Sequence, residues 1–235
     1  LGNALTTICA TSDIHSPQYL ELFKRALANS TCKPDLFILA GDIIERNNIA
    51  EYRRVVELIN SVHPGTPVAA VFGNEEYIGS EKEYIVRYPN VVFLHDNYRV
   101  IDTLTGRIVV VGSRGALDKP TRWQAKNMPG LIKYFRDLPD KISSLISEAA
   151  STNLPIILVT HYGVTYRNLT GENPVIHPYL ASRRMENVIV NHRNVLKAVI
   201  HGHAHNGLIE STDIDSVKVY NVALPARGRI IKVEV

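Results

Sequence analysis

Short runs rich in β-branched residues alternate with segments of helical periodicity along the 235 residues, an order that restricts the chain to an α/β architecture. A first strand is expected at Thr6 to Thr11, then a helix begun by Ser16-Pro17 with Leu20, Phe23 and Leu27 on one face. Leu36 to Ala40 and Val68 to Phe72 are the next strands. Between them a helix carries Ile49, Tyr52, Val56 and Ile59 and closes at His63-Pro64-Gly65. Ser80-x-x-Glu83 reads as a capping box opening a third helix. Val91 to Leu94, Arg99 to Ile101 and Ile108 to Val111 follow as short strands, and no helix separates the last two, which predicts mixed rather than purely parallel sheets. A helix over Asp137 to Asn153, a strand over Ile156 to Thr160 and a helix near Pro178 to Asn191 come next. The final strands are Leu196 to Ile200, Leu208 to Ser211, Val217 to Val222 and Arg229 to Val235. No repeat or linker divides the chain, so one domain over 1–235 is expected.

Five of these strands run straight into residues that can bind metal: Asp13-x-His15, Gly41-Asp42, Gly73-Asn74, Thr160-His161 and Gly202-His203-Ala204-His205. Ligand sites of open α/β sheets gather at the carboxyl ends of strands, so the five loops can converge on one crevice. Each signal alone is weak, because a lone histidine after a strand is usually capped or solvated. Together they supply mixed nitrogen and oxygen donors in excess of what one ion can use, and they suit two divalent ions of borderline hardness. Without cations, four histidines and two aspartates would be costly to desolvate as a group. The glycines at 41, 73 and 202 permit the sharp turns that such loops need.

In this order the motifs resemble those of the calcineurin-like metallophosphoesterase superfamily: D-x-H, GD, GNH-D/E, a lone His, then GHxH. The resemblance spans Asp13 to His205. It implies a four-layer α-β-β-α sandwich with two mixed sheets. It also implies that Asp13, His15 and His205 hold one metal, that Asn74, His161 and His203 hold a second, and that Asp42 bridges them. The implied activity is metal-dependent hydrolysis of phosphoesters by a bridging hydroxide. Manganese is the leading cofactor expectation, with iron, zinc, cobalt or nickel accepted by the same donors. No G-x-S-x-G elbow competes for the chemistry.

One motif departs from the family. Where the pattern has Gly-Asn-His, this chain has Gly73-Asn74-Glu75-Glu76. The missing histidine would stand beside the phosphate as a general acid, so Asn74 and Glu75 are the catalytic candidates. Glu75 could replace it only if it kept a proton near neutrality. The alternative is a glutamate facing solvent or a basic neighbour. An altered acid favours activated phosphodiesters. A phosphomonoesterase, acting on proteins or nucleotides, is the second reading, and a non-catalytic scaffold on the same fold is a third. His201 and Arg167 are candidate substrate contacts alongside Asn74, His201 because it adjoins the last motif and Arg167 because it follows His161 in a long loop; the alternative readings are a core histidine satisfied by backbone and a loop residue that only packs.

Composition sets outer limits. At 45% apolar and 21% charged, the chain is globular rather than disordered, and no run approaches a membrane span. Cys9 and Cys32 are expected as separate buried thiols. With a Leu-Gly-Asn-Ala start that lacks a basic-then-apolar leader, they suggest a reducing cytoplasm. Net charge is only +3, yet residues 114–136 hold six bases against one acid, Asp118. This stretch, which includes Trp123, reads either as a solvated surface or as an insertion bordering the site that attracts a nucleotide or nucleic acid. Oligomeric state is open, with a dimer allowed.

Overall fold

The computed structural model describes residues 5–235, and the reading of the Leu1–Ala4 start lies outside them. Its elements in chain order are β1 (Thr7–Thr11), α1 (Leu20–Ala28), β2 (Leu36–Ala40), α2 (Tyr52–Val62), β3 (Val68–Val71), α3 (Glu81–Arg87), β4 (Val91–Leu94), β5 (Asn97–Thr103), β6 (Gly106–Ser113), α4 (Arg122–Asn127), α5 (Gly130–Ala150), β7 (Ile156–Thr160), α6 (Arg184–Asn191), β8 (Leu196–His201), β9 (Ser211–Ile214), β10 (Val217–Asn221), α7 (Leu224–Arg227) and β11 (Ile231–Glu234). Short 3₁₀ turns occur at Ile49–Glu51 and Pro174–Tyr179.

Two mixed sheets form, in the orders β11-β1-β2-β3-β4 and β5-β6-β7-β8-β10-β9. Side-chain alternation sorts residues between layers. In β2, Leu36, Ile38 and Ala40 face the second sheet, where they meet Val110, Ile157 and Ile200. Phe37 and Leu39 point the other way, into a core shared with Phe23, Tyr52 and Val55 from α1 and α2. On the far side of the second sheet, Val109, Val111 and Leu158 pack on Phe135, Ile142 and Ile146 of α5 and on Ile189 of α6. The result is the four-layer α-β-β-α sandwich that the family resemblance implied. A strand buried on both faces cannot use polarity to choose its register.

Several local expectations are corrected. Ser16-Pro17 lies in a turn and α1 begins only at Leu20. Ser80 makes no side-chain cap on α3; its hydroxyl accepts instead from Asn47 Nδ2 at 2.9 Å. The capping box is on α4, where Thr121 and Gln124 exchange both bonds. Helix α5 starts seven residues before the expected Asp137 and carries buried Pro139 within it. The helix expected from Pro178 is shorter and starts at Arg184. Cys9 and Cys32 are both buried, but they are joined as a disulfide, with Cα atoms 6.1 Å apart. β1 and the segment after α1 bring the two sulfurs together on the helix side of the first sheet, a proximity that sequence spacing does not reveal.

Candidate metal centre

Strands β1, β2 and β3 run parallel in one sheet, as do β6, β7 and β8 in the other, so their carboxyl ends all open on one crevice. The sheets are stitched together there. Ser12 donates its N–H to Val222 O at 3.2 Å and accepts at its own carbonyl from Leu224 N–H at 3.0 Å. Backbone strain marks the same place: Asp13, His15, Asp42 and His203 all have positive φ, between 44° and 68°. Such conformations cost of order 1–3 kcal/mol each in non-glycine residues and persist only where surrounding structure enforces them.

The side chains form two overlapping groups. Asp13, His15 and His205 bring one donor atom each within 4.8 Å of one another, and Asp13, Asp42, His161 and His203 do likewise. In the first, His205 Nε2 lies 2.9 Å from Asp13 Oδ1 and 3.4 Å from His15 Nε2. In the second, His161 Nε2 lies 3.3 Å from Asp42 Oδ2 and 3.2 Å from Asn74 Oδ1. Asp42 Oδ2 also comes within 3.7 Å of His15 Nε2, so this carboxylate stands between the groups. His161 is fully buried, and its Nδ1–H donates to Ala40 O at 2.9 Å, which leaves Nε2 free to face the crevice.

These donors fit divalent cations. Two imidazole nitrogens and a carboxylate oxygen crowd one point in the first group, with His15 and His205 directed nitrogen to nitrogen. In the second, burial opposes a charged His161, yet the Asp42 carboxylate outweighs it and pushes the imidazole up to about 9. Burial alone would raise Asp13 and Asp42, but neighbouring imidazoles hold both below the ordinary carboxylate value. Burial pushes His203 down to about 4, so its nitrogen is unprotonated and ready to donate a lone pair. A cation would take over the role that the proton on His161 plays without it.

Two glycines are needed for the close approach. A Cβ on Gly73 would lie 2.1 Å from Asp42 Oδ1, and one on Gly202 would lie 2.3 Å from Ser12 Oγ and 2.6 Å from Asp13 Oδ2. A residue outside the candidate ligand set supports these turns. Glu76 is buried beneath Asp42, where Oε2 accepts the N–H groups of Asp42 at 2.9 Å and Gly73 at 2.7 Å while Oε1 accepts from Ile43 at 2.7 Å. Burial, reinforced by the Asp42 charge, pushes its carboxyl up to about 7. Its sequence signal was the last position of the altered third motif. Asn47 is a second support without a sequence signal. It binds Glu75 O, Tyr77 N–H, Ser80 Oγ and Tyr84 OH, and so fixes the loop that carries Asn74.

The remaining candidates lie in different settings. Glu75 is half-buried at the crevice edge; its carboxylate accepts Arg46 N–H at 2.6 Å, and its own N–H donates to Asp42 Oδ1 at 2.8 Å. His201 is not brought to the crevice. It is fully buried, its Nδ1–H donates to Gly202 O, and Nε2 meets Asn168 Nδ2, both at 2.8 Å, so no ring nitrogen is left for a substrate. Arg167 ties the long loop to α6 and β9 through Glu186 and Asp213 O, and it joins neither metal-ligand group. The basic stretch is also partly neutralised. Arg114 is buried against Glu81, while Lys133 and Arg136 pair with Asp137.

A four-layer sandwich that gathers Asp and His side chains at converging strand ends provides a cluster suited to divalent metal. The family model for calcineurin-like phosphoesterases matches residues 6–207, and the chain belongs to that family of phosphoester hydrolases. Among solved structures, the phosphopantetheinyl hydrolase of Mycobacterium tuberculosis is similar at a TM-score of 0.63 and 17% identity, with 98% of this chain and 96% of that one covered. A 5′-nucleotidase precursor from Thermus thermophilus aligns at 0.54 and 13%, over 98% of this chain and 54% of its own length. The inner-membrane-complex anchor GAP50 of Plasmodium aligns at 0.52 and 11%, over 94% and 72%. At these identities the likenesses concern the fold. No curated protein matches the sequence. Among the described residues no helix is long and apolar enough to cross a membrane.

Proposed function

We propose that the protein hydrolyses phosphodiesters at a two-metal centre, with Asp13, His15 and His205 holding one divalent cation, Asn74, His161 and His203 the other, and Asp42 between them. The observation that carries this reading is the position of Asp42 Oδ2, within 3.3 Å of His161 Nε2 and 3.7 Å of His15 Nε2. When bound, a pair of divalent cations supplies Lewis acidity toward the phosphoryl oxygens and lowers the pKa of a water held between them. The chain's own part is to fix the donors. Ala40 O sets the His161 tautomer, Glu76 clamps the Asp42 and Gly73 amides, and Asp13 is held by Ser12 Oγ–H and His203 N–H.

Charge favours a diester. A monoester dianion brings one more negative charge than a diester to an edge that already carries Glu75. Among the described residues, Arg114 is the one basic side chain lining the hollows beside Asn74, and its guanidinium is already paired with Glu81 at 3.2 Å. With Glu75 engaged by Arg46 N–H, the leaving oxygen lacks an imidazole acid, which suits activated leaving groups. The test is the ratio of kcat/KM for bis(4-nitrophenyl) phosphate and 4-nitrophenyl phosphate with added manganese. A ratio of at least about ten is expected; a ratio below one makes the protein a monoesterase. No turnover of either ester and no bound metal would leave a scaffold, a use of this fold with an analogue in the anchor from Plasmodium.

A further inference from the structure

Beside the metal centre the protein exposes apolar surface that its core does not use. Helix α4 buries none of its residues, and its Trp123 is 65% exposed. Across from it, in the loop between β3 and α3, Tyr77 is 49% and Ile78 48% exposed. The three are not scattered. Together with Met128, Leu131 and Tyr162 they line one hollow of about 420 Å³, and Asn74 is on its wall. A second hollow of about 300 Å³ shares Asn74, Trp123 and Tyr162 and reaches His203. Clustered exposed apolar side chains at a concave site mark a ligand surface, and these volumes fall in the range that small-molecule sites occupy.

Arg114 also lines the larger hollow, but it is 2% exposed and two of its nitrogens are committed to Glu76 O and Glu81. The walls therefore suit a flat apolar group.

We propose that this hollow is the subsite for the leaving group, and that it selects esters of an aromatic alcohol whose ring packs against Trp123. The proposal rests on the phosphoesterase reading for the word "leaving", but the pocket's preference for an aromatic ring can be measured without catalysis. A polyanion is disfavoured, because three of the six bases of residues 114–136 already have acidic partners and the hollow's only basic side chain is ion-paired.

The test uses calorimetric titration of the metal-free protein with 4-nitrophenol, adenosine and glycerol, followed by kinetics on the manganese-loaded protein. Both aromatic probes should bind and glycerol should not. Trp123→Ala should weaken the aromatic probes about tenfold, in line with the loss of one stacking partner, and Trp123→Phe should restore most of it. Adenosine binding at least tenfold more tightly than 4-nitrophenol would name a nucleoside as the source of the ring; equal binding would name a simple aryl group. In kinetics, Trp123→Ala should lower kcat/KM for an aryl methyl phosphodiester. Trp123-dependent binding without hydrolysis of any ester sinks the catalytic reading and keeps the subsite. Hydrolysis with no Trp123 effect on binding or on the aryl preference sinks the subsite. So does salt-sensitive binding of a single-stranded oligonucleotide with no binding of aromatic alcohols. Because α4 buries nothing, neither variant should unfold the protein.

Discussion

The two donor groups of the crevice use the same residue types but are held differently. His161 has no exposed surface and is oriented by a backbone carbonyl at the end of β2. The His205 side chain is 34% exposed, and its ring is held by Asp13, itself a candidate ligand. The buried imidazole is thus oriented by the scaffold and the part-exposed one by a fellow candidate ligand. Rigid backbone support predefines the buried donor, whereas loss of the part-exposed one leaves an opening that water can fill.

The largest test of that difference compares two substitutions. His161→Ala should lower kcat/KM by at least about 10³-fold, because it empties a buried position that no water-exposed group can replace. His205→Ala should cost less than His161→Ala, chiefly through metal affinity, because its part-exposed position can admit water in place of the lost donor. Equal losses, in kinetics and in metal content by elemental analysis, would erase the distinction.

A smaller effect comes from pH. The folded His161 is pushed from its ordinary 6.5 up to about 9, so in the metal-free protein its contribution to stability is complete below about 6.5 and is lost as pH rises through about 9. Glu76, raised from 4.5 to about 7, carries the same sign over its lower window. Below about pH 6.5 the buried His203 and His201, both pushed down to about 4, carry the opposite sign, so the metal-free melting temperature should fall with pH only from about 7 to 9. Divalent-metal affinity should rise about tenfold per pH unit between 7 and 9, as the His161 proton is displaced. A metal-free melting temperature that climbs with pH across this range contradicts the assignment. The smallest effect concerns the rim. Glu75→His should speed hydrolysis of alkyl esters by about tenfold, a fraction of the usual general-acid range, with little change for nitrophenyl esters. Equal changes in both would show that residue 75 does not serve the leaving oxygen.

How legible these features were depended on the reach of the interaction. β2, β4 and β7 fall where their apolar runs place them, and the ligand-bearing residues follow directly after strands, because strand periodicity and turn chemistry are local. Ser80 misled for the same reason: its motif is local, but Asn47, 33 residues away, claimed the hydroxyl. Which way the His201 ring points could not be read from its neighbours in sequence, since adjacency to a ligand motif does not fix a side chain's direction. Cys9 and Cys32 meet only because helix α1 returns the chain to the first sheet.

The sequence by itself determined the order of strands and helices, the α/β class and the inventory of Asp, His and Asn donors, because these depend on periodicity and residue type. Only the tertiary structure decided which donors share a point, that Glu76 and Asn47 support the turns beneath them, and that Trp123 lines a hollow beside Asn74. Those are distances between residues dozens of positions apart, set by how two twisted sheets stack. No local pattern encodes them.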